Sequence, residues 1–433
     1  MNYLIIRGRT LTFKNRPKSL TDKNSYNYDE DGSLLIKNGL IEKIDSFEKI
    51  IKETENNIPV HDHRPNLILP GFIDPHLHFP QIQVIGSYAS NLLEWLNNYT
   101  FIEEQKFNKL DHSRLIAKKF FRELINHGTT TAASFCTSKK ESVDAFFEES
   151  SNLNMLMIGG KVMMDRNAPK ELLDTAKSSY DETKALIKKW HKVGRQYYAI
   201  SPRFAITSSN EQLEVTKTLL KENASCYLQT HLSENIDEIN LTKKLYPEFK
   251  SYTEIYENYD LLGPKSLFGH CIHLSEREIG LLSETKSAAV FCPTSNLFLG
   301  SGLFNFNNFL KNGSKKIAIA TDIGGGTTFS MLKTMDEAYK ILQLQNQRIN
   351  PLESFYQITL GNASALSLEN KIGTLDVGTD CDIVVLNSSS TSSMEIRMEN
   401  VKNLVEELFV LQTMGDDRSI AQVYIKGVAS KNI

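Results

Sequence analysis

Several metal-binding side chains stand where apolar runs of the sequence end. His76 and His78 follow the run Leu67-Ile-Leu-Pro-Gly-Phe-Ile-Asp74 as Asp74-Pro-His-Leu-His78. In an extended chain, residues i and i+2 point to the same side, so both imidazoles can reach one metal ion. His231 ends the run that starts at Ser225, His270 ends the one that starts at Ser266, and Asp322 follows Lys316-Ile-Ala-Ile-Ala320. Neutral imidazoles and one carboxylate suit zinc and leave a coordination position open for water. Hydrolysis by an activated water is the chemistry such a centre performs. Glu234 lies three residues past His231 in Thr230-His-Leu-Ser-Glu-Asn235, where it can shuttle a proton beside the metal or serve a helix N-terminus.

Other positions match the same patterns less well. His61-Asp-His63 is also an HxH, but it precedes the first strand run among charged residues and a proline, which reads as a solvated turn. His273 lies farther from a strand end than His270, which is therefore the preferred site histidine. Gly324-Gly-Gly-Thr-Thr328 lacks the Lys-Ser/Thr of a phosphate loop, and its glycines are expected to turn the backbone sharply beside the site. No Gly-x-Ser-x-Gly elbow is present, which disfavours a serine hydrolase.

The elements that must position these residues form a regular series. Seven further runs follow Leu67–Asp74, beginning at Thr129, Met155, Tyr197, Ser225, Ser266, Ala288 and Lys316. Runs apolar on both faces, separated by amphipathic helices such as Asp111–Asn126 with Gly128 to stop it, belong to a parallel sheet covered by helices. Eight such units predict an α/β fold, a (β/α)8 TIM-like barrel; the rival doubly wound sheet lacks its GxGxxG after the first strand. Short strands with turn signals at both ends predict a small β-sandwich domain built from both termini. The expected division is residues 1–68 for its N-terminal part, 69–373 for the barrel and 374–433 for its C-terminal part. Ser388–Ser393 reads as a loop.

Composition narrows the class. The chain has 433 residues, 40% hydrophobic and 23% charged, with a formal net charge of -3, as expected of a folded protein without a nucleic-acid or membrane partner. Five scattered cysteines without a CxxC pair argue against a disulfide framework or a thiolate zinc site, and suit a reducing cytosol. No apolar run reaches about 18 residues and the N-terminal run is too short for a signal peptide, so a cytoplasmic location is expected.

Gly71-Phe-Ile-Asp-Pro-His-Leu-His78, His231, His270 and Ala320-Thr-Asp322 resemble the amidohydrolase superfamily. A finer likeness is to the guanine deaminases, carried by His78-Phe-Pro-Gln81, Leu93-Glu-Trp95, Gly160-Lys-Val-Met-Met-Asp165, Ser201-Pro-Arg-Phe204, Thr230–Asn235, Cys292-Pro-Thr-Ser-Asn296, Thr321–Gly326 and Gly415–Ile420. It spans essentially the whole chain.

The resemblance implies one zinc per subunit, held by His76, His78, His231 and Asp322, with His270 close to the reacting water. It implies that Gln81 and Arg203 hydrogen-bond the edges of a purine, that Phe204 packs on its ring, and that His231 and Asp322 also face the substrate. Phe79 is where substrate preference is expected to shift. The implied reaction is hydrolysis of guanine to xanthine and ammonia, a step of purine catabolism, with Glu234 and Asp322 handling the proton, in a cytoplasmic homodimer. A binuclear site would need a bridging lysine after the fourth strand, and Lys161 follows the third. The alternatives are another amine- or chlorine-bearing ring, such as a triazine, or a catalytically dead scaffold; scaffold relatives lose metal ligands, which this chain keeps.

Overall fold

The computed structural model describes residues 3–54 and 57–431. Four strands come first: β1 (Tyr3–Phe13), β2 (Tyr26–Lys37), β3 (Leu40–Ser46) and β4 (Val60–Pro70). The barrel strands follow as β5 (Phe72–His78), β6 (Thr129–Phe135), β7 (Leu156–Gly160), β9 (Gln196–Pro202), β10 (Tyr227–Leu232), β11 (Ser266–His270), β12 (Ala288–Phe291) and β13 (Ile317–Ile319). A short β8 (Val162–Met163) pairs with β9. The chain ends on β14 (Ile383–Leu386), β15 (Ile420–Ile425) and β16 (Val428–Ala429).

The eight barrel strands pair in parallel in chain order from β5 to β13. Alternate residues explain why these runs are apolar on both faces. Ile73, Ala133, Ile158, Ala199, Tyr227, Leu267, Val290 and Ala318 fill one core, while Ala132, Met157, Ile200 and Leu228 pack with buried residues of the flanking helices. Between the last and first strands a side chain closes the ring. Asn362 donates from Nδ2 to the Ile73 and Ile319 carbonyls, each at 2.8 Å, and its Oδ1 accepts from the Ile319 N–H at 3.0 Å.

The terminal segments build a mixed seven-stranded sheet, in the order β16-β15-β14-β4-β1-β2-β3. The sheet curls, so that Ile6, Leu34, Ile36 and Ile41 at one end share a core with Ile383, Val385 and Tyr424 at the other. Backbone bonds between Ile41 and Thr379 and between Gly39 and Cys381 complete that curl. The opposite face, through Leu67, Leu69, Val384 and Leu386, joins the core that reaches the barrel helices.

Three expectations are corrected. The run Leu67–Asp74 is not one barrel strand: Leu67–Pro70 belongs to β4 of the small sheet, antiparallel to β14, and the barrel begins at Phe72. Its uniform apolarity comes from sitting between two cores. His61 and His63 lie on β4, where they alternate with exposed Asp62 and Arg64, and both hydrogen-bond the Tyr424 hydroxyl, at 2.7 and 2.6 Å. The serine-rich stretch is only partly a loop, since Thr391 caps a helix from Ser392 to Met398. Among the described residues no helix is long and apolar enough to cross a membrane.

Candidate functional site

The C-terminal ends of the barrel strands bring the candidate residues together. Two backbone bonds lock the seam there: Asp322 N–H donates to the His76 carbonyl at 3.0 Å, and His78 N–H to the Ile323 carbonyl at 3.0 Å. Below them, buried Asp74 takes the Thr321 N–H at 3.1 Å and the Thr321 hydroxyl, which ties β5 to the segment that carries Asp322. Ser233, His270, Cys271 and Asp322 all adopt positive φ, between 50° and 70°. Non-glycine residues rarely do so; four at strand ends show a backbone bent to aim side chains inward.

His76, His78 and His231 present nitrogens within 4.8 Å of one another. His78 Nε2 and His231 Nε2 stand 3.1 Å apart, and Asp322 Oδ1 lies 3.5 Å from His76 Nε2 and 3.4 Å from His78 Nε2. Gly269 makes this packing feasible, since a Cβ there would fall 2.5 Å from the His76 ring. Burial, reinforced by neighbouring His231, His270 or Arg203, holds the three imidazoles well below their ordinary pKa and therefore neutral. The His231 Nδ1 lies 2.7 Å from the Arg203 carbonyl; N–H donation there frees Nε2. His76 Nε2 and Asp322 Oδ1 are buried without any hydrogen-bond partner. Converging neutral nitrogens and an orphaned carboxylate oxygen fit a divalent cation.

His270 stands beside this cluster. Its Nδ1 meets Asn296 Oδ1 at 2.9 Å, and its Nε2 lies 3.3 Å from Glu234 and 3.8 Å from Asp322. Glu234 accepts from the Ser301 hydroxyl at 2.9 Å. Burial pushes the carboxyl groups of Glu234 and Asp322 up to about 7. A cation would draw Asp322 back down and leave Glu234 able both to take and to release a proton. His273 is elsewhere, bonded to the Ser301 carbonyl at 2.8 Å, in accord with the preference for His270.

A pocket opens over the cluster. His78, His231, Glu234, His270 and Asp322 form its floor, Gln81, Arg203 and Phe204 one wall, and Leu92, Trp95, Leu96 and Leu299 the apolar remainder. That mixture of polar and apolar lining suits a small flat ligand. The expected glycine turn is present: Gly324 has φ 124°, and a Cβ there would fall 2.2 Å from Gln81 Oε1. Phe79 does not line the pocket. It is fully buried against Phe107 and Phe120, with ring centroids at 5.2 and 5.6 Å, because residues 79–81 turn into a short 3-10 helix.

Two residues escaped the sequence reading. Cys292 places its thiol within 4.8 Å of ligand atoms of His76, His270 and Asp322, although burial holds that thiol well above its ordinary pKa. Its signal was its position at the end of the seventh barrel strand. Glu104, fully buried, bonds both Gln81 and Arg203. No sequence pattern marked Glu104, yet a buried arginine demands such a partner. Lys161 is committed away from the cluster, paired with Asp174 and lying 3.4 Å from Glu182.

With this geometry in place, comparisons with known proteins agree. The amidohydrolase family model matches residues 67–429. Guanine deaminase of Escherichia coli (strain K12) is 49% identical over 92% of this chain and 90% of its own. The solved E. coli guanine deaminase superposes with a TM-score of 0.96, at 46% identity, over 98% of this chain and 99% of that one. A guanine deaminase from C. acetobutylicum, solved with guanine bound in its active site, gives a TM-score of 0.89 at 31% identity, covering 99% and 100%.

Proposed function

The chain belongs to the amidohydrolase family, and from that premise we propose that it catalyses the hydrolytic deamination of guanine to xanthine and ammonia. What carries this reading is close identity to guanine deaminase across nearly the full length of both chains. The pocket supports it: an amide and a guanidinium beside apolar walls can satisfy a flat heterocycle with a polar edge.

We assign His76, His78, His231 and Asp322 as the residues that hold one zinc ion, on the strength of three converging imidazoles and of the unpartnered His76 Nε2 and Asp322 Oδ1 beside them. When bound, zinc supplies Lewis acidity that brings a water's ionisation close to neutral pH. The chain's own groups then do the rest. Arg203 donates to the 6-oxygen, Gln81 engages the same edge, and Phe204 packs on the ring, which sets C2 over Glu234 and His270. His231 and Asp322 lie beneath the ring at the reacting edge. As the water oxygen bonds to C2, Asp322 and Glu234 take its proton. Glu234 passes that proton to the ring nitrogen N3, which keeps it in xanthine. The water's second proton, left on the C2 hydroxyl, then goes through Glu234 to the departing amine as the C2–N bond breaks and C2=O forms. His270, 3.3 Å from Glu234, hydrogen-bonds the reacting water. We extend the reading to a cytoplasmic homodimer on the resemblance to guanine deaminases; light scattering at twice the chain mass is the expected result.

The deciding experiment measures ammonia release from a panel of purines, pterins and triazines, with metal content determined on the same sample. Guanine is expected to lead by a wide margin. Preference for adenine or a triazine would overturn the substrate assignment and leave the metal-dependent hydrolase in place.

A further inference from the structure

Glu104 lies in the excursion between β5 and the helix Leu110–Asn126, fully enclosed. Its Oε1 accepts from Gln81 Nε2 at 2.8 Å and from Arg203 Nη1 at 2.9 Å, and its Oε2 lies 3.1 Å from the same Nη1. Three residues earlier, the Phe101 ring lies under the same guanidinium, 5.4 Å from centroid to Cζ. One short segment thus holds both Gln81 and Arg203.

The chemistry of a carboxylate makes this contact directional. An ionised carboxylate can only accept, so the end of the Gln81 amide that faces it must be the NH2. The Gln81 carbonyl is then turned the other way, toward Gly324, beside Asp322 and Gly325 in the pocket lining. Without Glu104 the amide could rotate by half a turn and exchange acceptor for donor. Arg203 lines the pocket with Nη1 pinned by Glu104, and its charge is balanced before any substrate enters.

We propose that Glu104 is the positioning residue that sets the specificity of this pocket: through Gln81 and Arg203 it fixes an acceptor beside a donor, the complement of a heterocycle that carries an N–H next to a C=O. The proposal rests on the guanine reading above. It explains recognition of the lactam edge by a group that need not touch the substrate.

The test compares kcat/KM for guanine, 1-methylguanine (no N1–H) and 2-aminopurine (no 6-oxygen), in wild type and in Glu104→Gln. Inhibition constants against guanine replace kcat/KM where turnover is undetectable. In wild type both analogues should fall far below guanine, since a hydrogen-bonding site rejects ligands that leave it unpaired. In Glu104→Gln, guanine should lose about 10²-fold, mostly in KM, while the analogues change by less than about threefold. Bound metal should be unaltered. An equal loss for all three compounds would make Glu104 a structural ion-pair partner and overturn the proposal. Should Glu104→Gln fail to fold, Glu104→Asp keeps the charge but withdraws the carboxylate, and selective loss against equal loss is read in the same way. Wild type that releases no ammonia from guanine overturns the substrate reading itself, and the proposal with it.

Discussion

The Nε2 atoms of His78 and His231 face each other across 3.1 Å. Two imidazole lone pairs at that distance repel unless a proton or a shared cation lies between them. Ligand nitrogens on a tetrahedral zinc, at about 2.0–2.1 Å from the metal, stand about 3.3 Å apart, so the pair is close to its metal-bound spacing. Metal-replete protein should therefore carry close to one zinc per chain, and Lys161, engaged with Asp174, leaves no bridge for a second. Elemental analysis that finds two tightly held ions would refute this. Chelation should abolish turnover yet preserve most far-ultraviolet circular dichroism, because the barrel interior around Ile73, Leu156 and Val290 packs without the ion.

The proposed reaction routes proton transfer through Glu234. Glu234→Gln keeps the size and an oxygen to accept from Ser301, but it cannot carry a proton. Its kcat should drop by about 10²–10⁴, with zinc content near normal, since no ligand role is assigned to it. Near-full turnover in this variant would remove Glu234 from the reaction.

Much of this arrangement could be read from the residues because the barrel repeats one rule. Apolar runs end on His76, His78, His231 and His270 and just before Asp322, so the residues that converge in the pocket could be placed from chain position alone. The pocket walls could not be found that way. Gln81 and Arg203 look like surface residues until a family motif marks them, and Glu104 shows its role only through the buried arginine it meets. The boundary near residue 68 was obscured by packing. Leu67 and Leu69 face one core and Ile68 another, so a strand of the small curled sheet mimics a barrel strand. His61 and His63 were misread because their shared partner, Tyr424, lies more than 350 residues away in the chain.

Arg203→Ala should weaken transition-state binding of guanine by about 2–5 kcal/mol, the scale for losing a hydrogen bond from a charged donor and leaving the buried 6-oxygen unpaired. It should also narrow the gap between guanine and 2-aminopurine. The same change strands Glu104 without its cation, so the melting temperature should fall as well. Lower stability with an unchanged guanine to 2-aminopurine ratio would show that Arg203 serves the fold alone.

His191 gives the fold an acid limit. Its Nδ1 accepts from the Tyr198 N–H at 3.1 Å and its Nε2 meets the Ser225 hydroxyl at 2.9 Å, which requires a neutral ring. Burial lowers its pKa to about 4, from about 6.5 in the unfolded chain. Above pH 6.5 both states are neutral and the stabilisation is complete. As pH falls toward 4 the unfolded chain takes up the proton first, so stability drops, by about 1–2 kcal/mol after allowance for partial solvent screening. His191→Gln should be less stable than wild type at pH 7, and the difference between their melting temperatures should shrink toward pH 4. A difference independent of pH would show that the ring does not titrate in this range.

Asn362 is the last residue to test, because barrel closure and site geometry meet there. Its amide makes three buried bonds to the barrel backbone, two to Ile319 on β13 and one to Ile73 on β5, and also accepts from Gln357 Nε2 at 3.4 Å. Those strands lead directly to Asp322 and to His76 and His78. Leucine has nearly the same volume but no polar atoms, so Asn362→Leu leaves two carbonyls and one N–H unpaired in the interior. At about 1–3 kcal/mol for each stranded group, the cost should be at least about 3 kcal/mol, read as a melting temperature several degrees lower. The seam should also loosen at its upper end, where Asp322 and His76 share a backbone bond. The variant should therefore bind zinc more weakly than wild type, measured by competition with a chelator. Reduced stability with unaltered zinc affinity would mean that Asp74 and the Asp322–His76 bond hold the site without help from the seam below.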